Sequence, residues 1–192
     1  MRTSPLKVMQ VIASKGNTIG GAEIFYLRLV DRLQQRGIAV VPVVRRGTWV
    51  EAELIRQHVP HHALRFGGML DVITPWRLRY LLQQTQPDLV QTWMTRATQK
   101  MPTPKVPWVA RLGGYYPLKH YRRATHLVGN TQALQQYFQQ HGWAAENTST
   151  IGNFVDVPPA DFRTQRAAVR ARYQIPDDAT VLLTSSRLHP HK

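Results

Sequence analysis

Short apolar runs of strand length alternate with helix-like segments along most of this sequence. The run KVMQVIA comes first, and apolar residues then recur at helical spacing over residues 22–33, before Gly37. Further pairs, each an apolar run followed by a helix-like segment, come later in the sequence. Strands that alternate with helices of roughly 10 to 15 residues are typical of βαβ units, whose right-handed crossovers build a parallel sheet. We therefore predict an α/β fold with a Rossmann-like open parallel sheet and helices on both faces.

The predicted strands cover residues 7–13, 38–44, 62–64, 89–92, 106–112, 125–130, 148–153 and 180–184. The predicted helices cover residues 22–36, 50–58, 73–85 and 131–141, and an Arg-rich helix precedes the last strand. Pro42 lies inside the second predicted strand, where it removes a backbone hydrogen-bond donor.

The composition changes in the stretch FVDVPPADFRTQRAAVRARYQIPDDA, where Pro158 and Pro159 interrupt the pattern. We expect a domain boundary there. Residues 1–157 are predicted to form the Rossmann-like domain. Residues 158–192 are predicted to hold a linker, a helix and the first strand and loop of a second domain that is cut short.

Basic residues outnumber acidic residues by 25 to 11, and the formal net charge is +14. This charge suits a polyanionic partner such as nucleic acid, an anionic membrane or a phosphorylated substrate. The first 100 residues hold 14 basic and 6 acidic residues and the rest hold 11 and 5, so the excess is spread evenly. An even spread argues against nucleic acid. No apolar run reaches the roughly 18 to 20 residues that span a bilayer, so we expect a cytoplasmic protein.

The stretch SKGNTIGGAE follows the first predicted strand. Gly20 and Gly21 permit close backbone approach, and the next helix directs its N-terminal amides toward the loop, which favours phosphate. The alternative is a tight strand-to-helix turn. The dinucleotide pattern GxGxxG and the P-loop pattern GxxxxGK[ST] are both absent. Glu23 fits the first helical turn, where a carboxylate complements the helix dipole.

Cations and an aromatic residue follow two further strands. Arg45 and Arg46 come after the second strand, where they could pair with a phosphate or lie in a solvated loop. Trp93 and Arg96 follow the strand at residues 89–92. The tryptophan could pack against a sugar or against the sheet, and packing against the sheet is the favoured interpretation.

The stretch RLGGYYPLKHYRR mixes aromatic faces with cations. Its candidate residues for contact with sugars, phosphates or lipid headgroups are Gly113, Gly114, Tyr115, Lys119 and His120. The alternative is a solvated amphipathic helix.

The histidines do not indicate a metal site. His61 and His62 are adjacent, and no suitably spaced carboxylate or cysteine accompanies them. We predict that no metal and no cofactor is bound. No carboxylate pair or Ser, His and Asp arrangement can be recognised from spacing, so no catalytic residue is assigned.

The order of these motifs resembles glycosyltransferase family 4, whose members have the GT-B fold. The resemblance rests on four stretches: KVMQVIASKGNTIGGAEIFYLRLVDRLQQRGIAVVPVVRRGTW, QPDLVQTW, ATHLVGNTQALQQYF and TSTIGNFVDV. Their order and spacing carry more weight than any single stretch.

The resemblance implies transfer of a sugar from a nucleotide-sugar to an acceptor, with retention at the anomeric carbon and without metal. In such enzymes a loop of the form GRLxxxKG binds the donor diphosphate, and Arg187 and Lys192 have the matching separation. By the same analogy Gly20 and Gly21 lie near the donor phosphates. Many members carry a histidine after the fifth strand, where this sequence has Gly113 and Gly114, so that role cannot be transferred.

The resemblance also implies partners and a location. The acceptor would be a glycan or a lipid-linked molecule of bacterial lipopolysaccharide or cell-surface polysaccharide synthesis, and it would bind the N-terminal domain. Peripheral contact with the anionic inner face of the plasma membrane would fit the basic charge. Since most of the donor half is absent, we expect the 192-residue chain alone to be inactive.

Two alternative functions remain open at this point. The glycine-rich loop with Arg45 and Arg46 would also suit an NADP-dependent Rossmann oxidoreductase, although the glycine spacing disagrees with that class. A non-catalytic module that binds glycans or membranes is the other alternative.

Overall fold

The alternation of strands and helices builds a single parallel sheet in a computed structural model that describes residues 5–16, 19–155 and 162–184. The described chain divides into two compact units, Met1–Phe154 and Val155–Lys192. The assignment of residues 1–157 and 158–192 to two functional domains stays a prediction.

Seven strands form the sheet of the first unit. They are β1 (Lys7–Ile12), β2 (Ala39–Arg45), β3 (His62–Leu64), β4 (Leu89–Trp93), β5 (Trp108–Leu112), β6 (His126–Gly129) and β7 (Thr148–Thr150). Their order is β3-β2-β1-β4-β5-β6-β7, and every neighbouring pair is parallel. The predicted fold class is confirmed.

Five α-helices belong to the same unit. They are α1 (Gly21–Gln35), α2 (Trp49–Arg56), α3 (Ile73–Thr85), α4 (Met94–Lys100) and α5 (Gln132–Gln140). Two short 3₁₀ turns lie at Leu118–His120 and Ala145–Asn147.

Two apolar cores show that these helices cover both faces of the sheet. On one face α1 and α2 pack against alternate residues of the central strands, such as Ile12 and Val44. On the other face α3, α4 and α5 pack against the intervening residues, such as Met9 and Val43. Successive side chains of a strand point to opposite faces, so both cores come from the same strands.

Pro42 is accommodated inside β2 because of where β3 begins to pair. The register joins β3 only to Val43, Val44 and Arg45, so β2 has a partner on one side alone at Pro42. A missing backbone donor is tolerated where a strand lacks a second neighbour.

Helix α4 was not expected from the sequence. It starts directly after β4, without a loop, and Met94 adopts a left-handed backbone conformation with φ of 65° at this junction. A left-handed conformation is strained for a side chain larger than glycine. The packing of Ala97 and Met101 into the core stabilises this sharp turn.

The second unit contains α6 (Phe162–Arg172), which confirms the Arg-rich helix. The strand predicted over residues 180–184 is wrong for this structure. These residues have no strand conformation, and Leu182 and Leu183 are exposed. A strand needs a neighbouring strand for its backbone hydrogen bonds, and no described strand pairs with these residues.

Candidate functional site

The carboxyl ends of all seven strands meet at one edge of the sheet, because every strand is parallel to its neighbours. The chain order reverses between β1 and β4, where Ile12 pairs with Trp93. Ligands of open α/β sheets bind beyond the carboxyl ends of the strands, next to such a switch point. We call the carboxyl ends of β1, β2, β4 and β5, with the residues that follow them, the carboxyl edge.

Two glycines lie at the start of α1 at this edge, and the structure gives them different reasons to be glycine. Gly20 caps the helix in an extended conformation, and a Cβ there would lie 2.7 Å from Oε2 of the buried Glu23. Gly21 is the first helical residue, and a Cβ there would meet nothing within 4 Å. The fold therefore does not need glycine at position 21, whereas close approach of a ligand to the helix amides would.

A buried hydroxyl group lies beside this loop. Ser14 follows β1, and its hydroxyl finds no hydrogen-bond partner within the described ranges. Buried hydroxyl groups are rarely left without a partner, so an unpaired one at a strand end is a candidate ligand contact. Arg45, at the end of β2, donates from Nη1 to the carbonyl of Ser14 at 3.4 Å. Arg46 instead donates to the carbonyl of Ala63.

The structure places Trp93 in the core. Its Nε1 donates to Oε1 of Gln10 at 2.7 Å, and its ring packs against Phe25 and Tyr26 with centroid distances of 5.9 Å and 5.6 Å. Packing against the sheet was the interpretation favoured from the sequence. The indole therefore offers no open face to a sugar in this conformation.

Arg96 is held by the loop between β3 and α3. Its Nη1 donates to the carbonyl of Phe66 at 3.1 Å, and Lys100 of the same helix donates to the carbonyls of Met69 and Asp71. Both cations of α4 thus hold this loop in place. Arg96 is half-buried at the carboxyl edge and is not a freely moving side chain.

The carboxylate of Asp71 organises the same loop from within. It accepts hydrogen bonds from the backbone of Gly67 and from the backbone and hydroxyl of Thr74. Burial alone would raise the pKa of Asp71, but these hydrogen bonds and the charge of Lys100 outweigh it and lower the pKa below its usual value. Asp71 is therefore ionised at neutral pH, and its carboxylate keeps the hydrogen bonds that hold the loop.

Residues 113–123 form an irregular loop with one 3₁₀ turn, and not the amphipathic helix that was the alternative. Gly113 and Gly114 follow β5 directly at the carboxyl edge. Tyr115 is 65% exposed and stands edge-on to Tyr137 of α5, with ring centroids 5.1 Å apart. The backbone carbonyl of Tyr116 accepts from the hydroxyl of Tyr137 at 3.1 Å, so α5 supports the loop.

Lys119 and His120 lie further along this loop, in its 3₁₀ turn. His120 places Nδ1 2.9 Å from Nε2 of Gln99 in α4. Gln99 is five residues beyond the start of α4, about 7.5 Å along the helix axis. Lys119 is exposed in the same 3₁₀ turn. Among the described hydrogen bonds, none joins Lys119 or His120 to the glycines or Arg45 of the carboxyl edge.

Arg111 is a buried cation in β5 that the sequence analysis missed. Its Nη2 donates to the carbonyl of Ile151 at 2.9 Å and to Oδ1 of Asn153 at 2.8 Å. The guanidinium carbon lies 4.6 Å from the ring centre of Phe25 and 5.3 Å from that of Trp93. Burial lowers the pKa of Arg111 to about 10, and no carboxylate pairs with it among the described side chains. Perturbed cations of this kind are concentrated at functional sites.

Part of the set of site residues predicted from the sequence therefore lies together at the carboxyl edge. The strands β2, β1, β4 and β5 are consecutive neighbours, so their ends span about 15 Å at roughly 4.8 Å per strand. The predicted site residues along this line are Gly20, Gly21, Arg45, Arg96, Gly113 and Gly114. Arg187 and Lys192 lie outside the described residues.

A cavity of about 560 Å³ lies at the opposite, amino edge. It is lined by residues that precede β4 and β5, among them Gln86, Pro87 and Val106. None of the predicted site residues lines it. Within the described ranges no three His, Asp or Glu side chains converge as a metal site would require, and the absence of a metal stays a prediction.

Comparisons with known proteins place the chain in a family. A family model of Glycosyltransferase Family 4 matches residues 19–158. The lipopolysaccharide core biosynthesis glycosyltransferase LpsD of Rhizobium meliloti (strain 1021) is 29% identical over 193 residues, which cover 96% of this chain and 53% of LpsD. The chain spans about half the length of the curated relatives it matches.

Solved structures share the fold. A glycosyltransferase from Rickettsia africae ESF-5 superposes with a TM-score of 0.70 at 14% identity, over 96% of this chain and 54% of that one. Anabaena HepE in complex with UDP superposes with a TM-score of 0.61 at 19% identity, over 85% of this chain and 50% of that one. Both likenesses support the Rossmann-like half of a GT-B fold. On the match over residues 19–158, the chain belongs to Glycosyltransferase Family 4.

Proposed function

We propose that this chain supplies the acceptor-binding side of a glycosyltransferase that acts in the synthesis of bacterial lipopolysaccharide core or a related cell-surface polysaccharide. The observation that carries this proposal is the match of the family model to residues 19–158. This range includes Gly20 and Gly21, the end of β2 and the loop after β5. The similarity to LpsD, which is named for lipopolysaccharide core biosynthesis, supports this class of acceptor. The reaction would move a hexose-type sugar from a nucleotide-sugar to a glycan or lipid-linked acceptor with retention and without metal.

The amino end of α1 is the proposed contact of this half with the donor phosphates. The amides of the first helical turn and the positive end of the helix dipole favour a diphosphate. Open space around Gly21 leaves these amides accessible, and the unpaired hydroxyl of Ser14 lies in the segment that leads to them. HepE has been solved with UDP and with UDP-glucose, which supports a nucleotide-sugar as the donor.

Arg187 and Lys192 are the proposed donor clamp from the second domain. This part of the proposal rests on their spacing in the sequence alone. An arginine fork and a lysine point charge would stabilise the charge that develops on the departing nucleotide diphosphate.

The loop after β5 is the proposed acceptor contact. Tyr115 presents an exposed ring that the edge-on contact with Tyr137 holds in place, and a fixed aromatic face suits the apolar face of a sugar ring. A Cβ at Gly113 would lie 3.8 Å from Asn130 and one at Gly114 would lie 3.5 Å from Tyr116, which are ordinary contact distances. The fold therefore does not require glycine at either position, and close approach of an acceptor would explain both. The buried charge of Arg111, one strand from Trp93, adds positive potential to this end of the sheet.

Calorimetric titration of the 192-residue chain with lipopolysaccharide core oligosaccharide tests the proposed acceptor. We expect the oligosaccharide to bind and NADPH to give no heat. Tyr115→Ala should weaken binding about threefold to tenfold, because one aromatic contact contributes about 0.5 to 1.5 kcal/mol. Tyr80→Ala is the matched control, since Tyr80 is 48% exposed on α3 and outside the carboxyl edge.

The outcomes separate the competing functions. NADPH binding without oligosaccharide binding would favour the oxidoreductase. If both tyrosine variants weakened oligosaccharide binding equally, the loop after β5 would not be part of the acceptor site. We also expect no sugar transfer by the 192-residue chain alone, and measurable transfer would contradict the proposed need for a donor half.

The proposed location is the cytoplasm, with peripheral contact to the inner face of the plasma membrane. In the part of the chain that the structure describes, no helix has the length and apolar character needed to cross a bilayer. The formal net charge of +14 supports contact with an anionic surface.

A further inference from the structure

The loop between β3 and α3 exposes apolar side chains that the fold does not bury. Met69 is 97% exposed and Leu70 is 92% exposed, which is the reverse of what the hydrophobic effect favours in water. Exposed apolar side chains continue into α3, and together they form what we call the apolar patch: Met69, Leu70, Val72, Ile73, Trp76 and Tyr80. Contiguous exposed apolar surface of this kind marks an interaction site.

Hydrogen bonds hold the loop that carries Met69 and Leu70 in place. Asp71, held by Gly67 and Thr74, closes the loop, and the amino group of Lys100 donates to the carbonyls of Met69 and Asp71. Phe66 anchors the other end of the loop in the core. Because these contacts hold the loop at both ends, Met69 and Leu70 stay in solvent and do not fold back onto the protein.

Helix α3 has apolar residues on two sides. Thr74, Leu78 and Leu81 form its buried side, as expected of a helix that covers a sheet. Ile73, Trp76 and Tyr80 recur at helical spacing on the exposed side. The rings of Trp76 and Tyr80 are stacked with centroids 6.4 Å apart, so they present one continuous surface.

Cations surround the apolar patch. Arg65, Arg77 and Arg79 are all exposed, and the guanidinium of Arg77 lies 5.5 Å from the ring centre of Trp76. Asp71 is the one acidic residue between positions 65 and 80, and its carboxylate is turned inward to hydrogen bonds of the loop. Apolar residues with Trp and Tyr, bordered by arginine, match the boundary between anionic headgroups and acyl chains.

We propose that the apolar patch and its arginines dock this chain onto an anionic lipid surface, with Met69 and Leu70 inserted among the acyl chains. The charge around the patch selects an anionic membrane over a neutral one. The patch follows the carboxyl end of β3, two strands from β1, so docking would bring the carboxyl edge close to the membrane. This inference specifies the surface for the peripheral membrane contact proposed above, and it does not depend on the proposed transfer reaction.

Vesicle binding of the 192-residue chain tests the proposal. Vesicles of phosphatidylcholine alone are compared with vesicles that also contain phosphatidylglycerol, at low salt, by co-sedimentation. Of the five tryptophans, all of which lie within the described ranges, Trp76 is the exposed one. We expect binding to the anionic vesicles, a blue shift of Trp76 emission and quenching by brominated acyl chains.

The double variant Met69→Asp with Leu70→Asp separates insertion from charge attraction. Both side chains are almost fully exposed, so the variant should fold. The matched control is Ile55→Asp with Ile151→Asp, which adds the same two negative charges at side chains that are 59% and 55% exposed, in α2 and after β7. We expect the patch variant to lose vesicle affinity at least about tenfold. The control should lose much less.

Three results would overturn the proposal. The first is equal binding to neutral and anionic vesicles. The second is an equal loss of affinity in both double variants, which would leave charge alone as the cause of binding. The third is absence of vesicle binding together with a dimer that the patch variant dissociates, which would make the patch a contact between two copies of the chain.

Discussion

Replacing Trp108 with alanine is expected to lower the free energy of unfolding by about 3 to 5 kcal/mol. Trp108 is fully buried in β5, where its ring belongs to the core that α3, α4 and α5 cover. Its Nε1 donates to the hydroxyl of Thr92 at 3.0 Å. Alanine would leave a cavity and deprive that hydroxyl of a donor. Urea denaturation followed by circular dichroism measures the loss.

Trp76→Ala is the control for the same change of residue. Trp76 is exposed on α3, so its removal should change the free energy of unfolding by no more than about 0.5 kcal/mol. A Trp108 variant as stable as the Trp76 variant would contradict the position of Trp108 between the strands and helices of the core.

Replacing Arg111 with alanine is expected to lower the free energy of unfolding by about 2 to 4 kcal/mol. The change removes hydrogen bonds from a charged donor to Ile151 and Asn153, and each such bond contributes roughly 1.5 to 3 kcal/mol before the cost of burying the charge is subtracted. It also removes contacts of the guanidinium with two aromatic rings. Thermal and urea denaturation of the purified variant give the difference.

Arg123→Ala is the matched control for Arg111. Arg123 also donates to one backbone carbonyl, that of Gln99, and its guanidinium lies 5.8 Å from the ring centre of Trp108. Arg123 is exposed, so its loss should cost less than about 1 kcal/mol. Equal losses for the two arginines would mean that burial does not strengthen the contacts of Arg111.

The strands and most helices could be predicted from the sequence because their apolar residues follow the periods of the two structures. The strand at KVMQVI and the helix after GGAE are examples. Helix α4 could not be predicted in the same way. It has seven residues, its N-cap Trp93 provides no side-chain hydrogen bond, and no glycine or proline separates it from β4. A capping signal and a long apolar stripe were both missing.

The contacts of the candidate site were less predictable than the fold. The glycines and Arg45 could be placed at the carboxyl edge, because loops after parallel strands share that edge. The partners of Arg111 are 40 and 42 residues away and meet it only because β5, β6 and β7 are neighbours. Similarly, His120 turns toward Gln99 of α4, a contact that no local pattern in the loop indicates.

A map of amide chemical shifts during titration with lipopolysaccharide core oligosaccharide tests most directly the claim that the acceptor binds at the carboxyl edge. We predict shifts in the loop after β5, around Gly113 to Tyr116. The amino-edge cavity beside Gln86 and Val106 should stay unchanged. Shifts confined to that cavity, or no shifts at saturating oligosaccharide, would contradict the account.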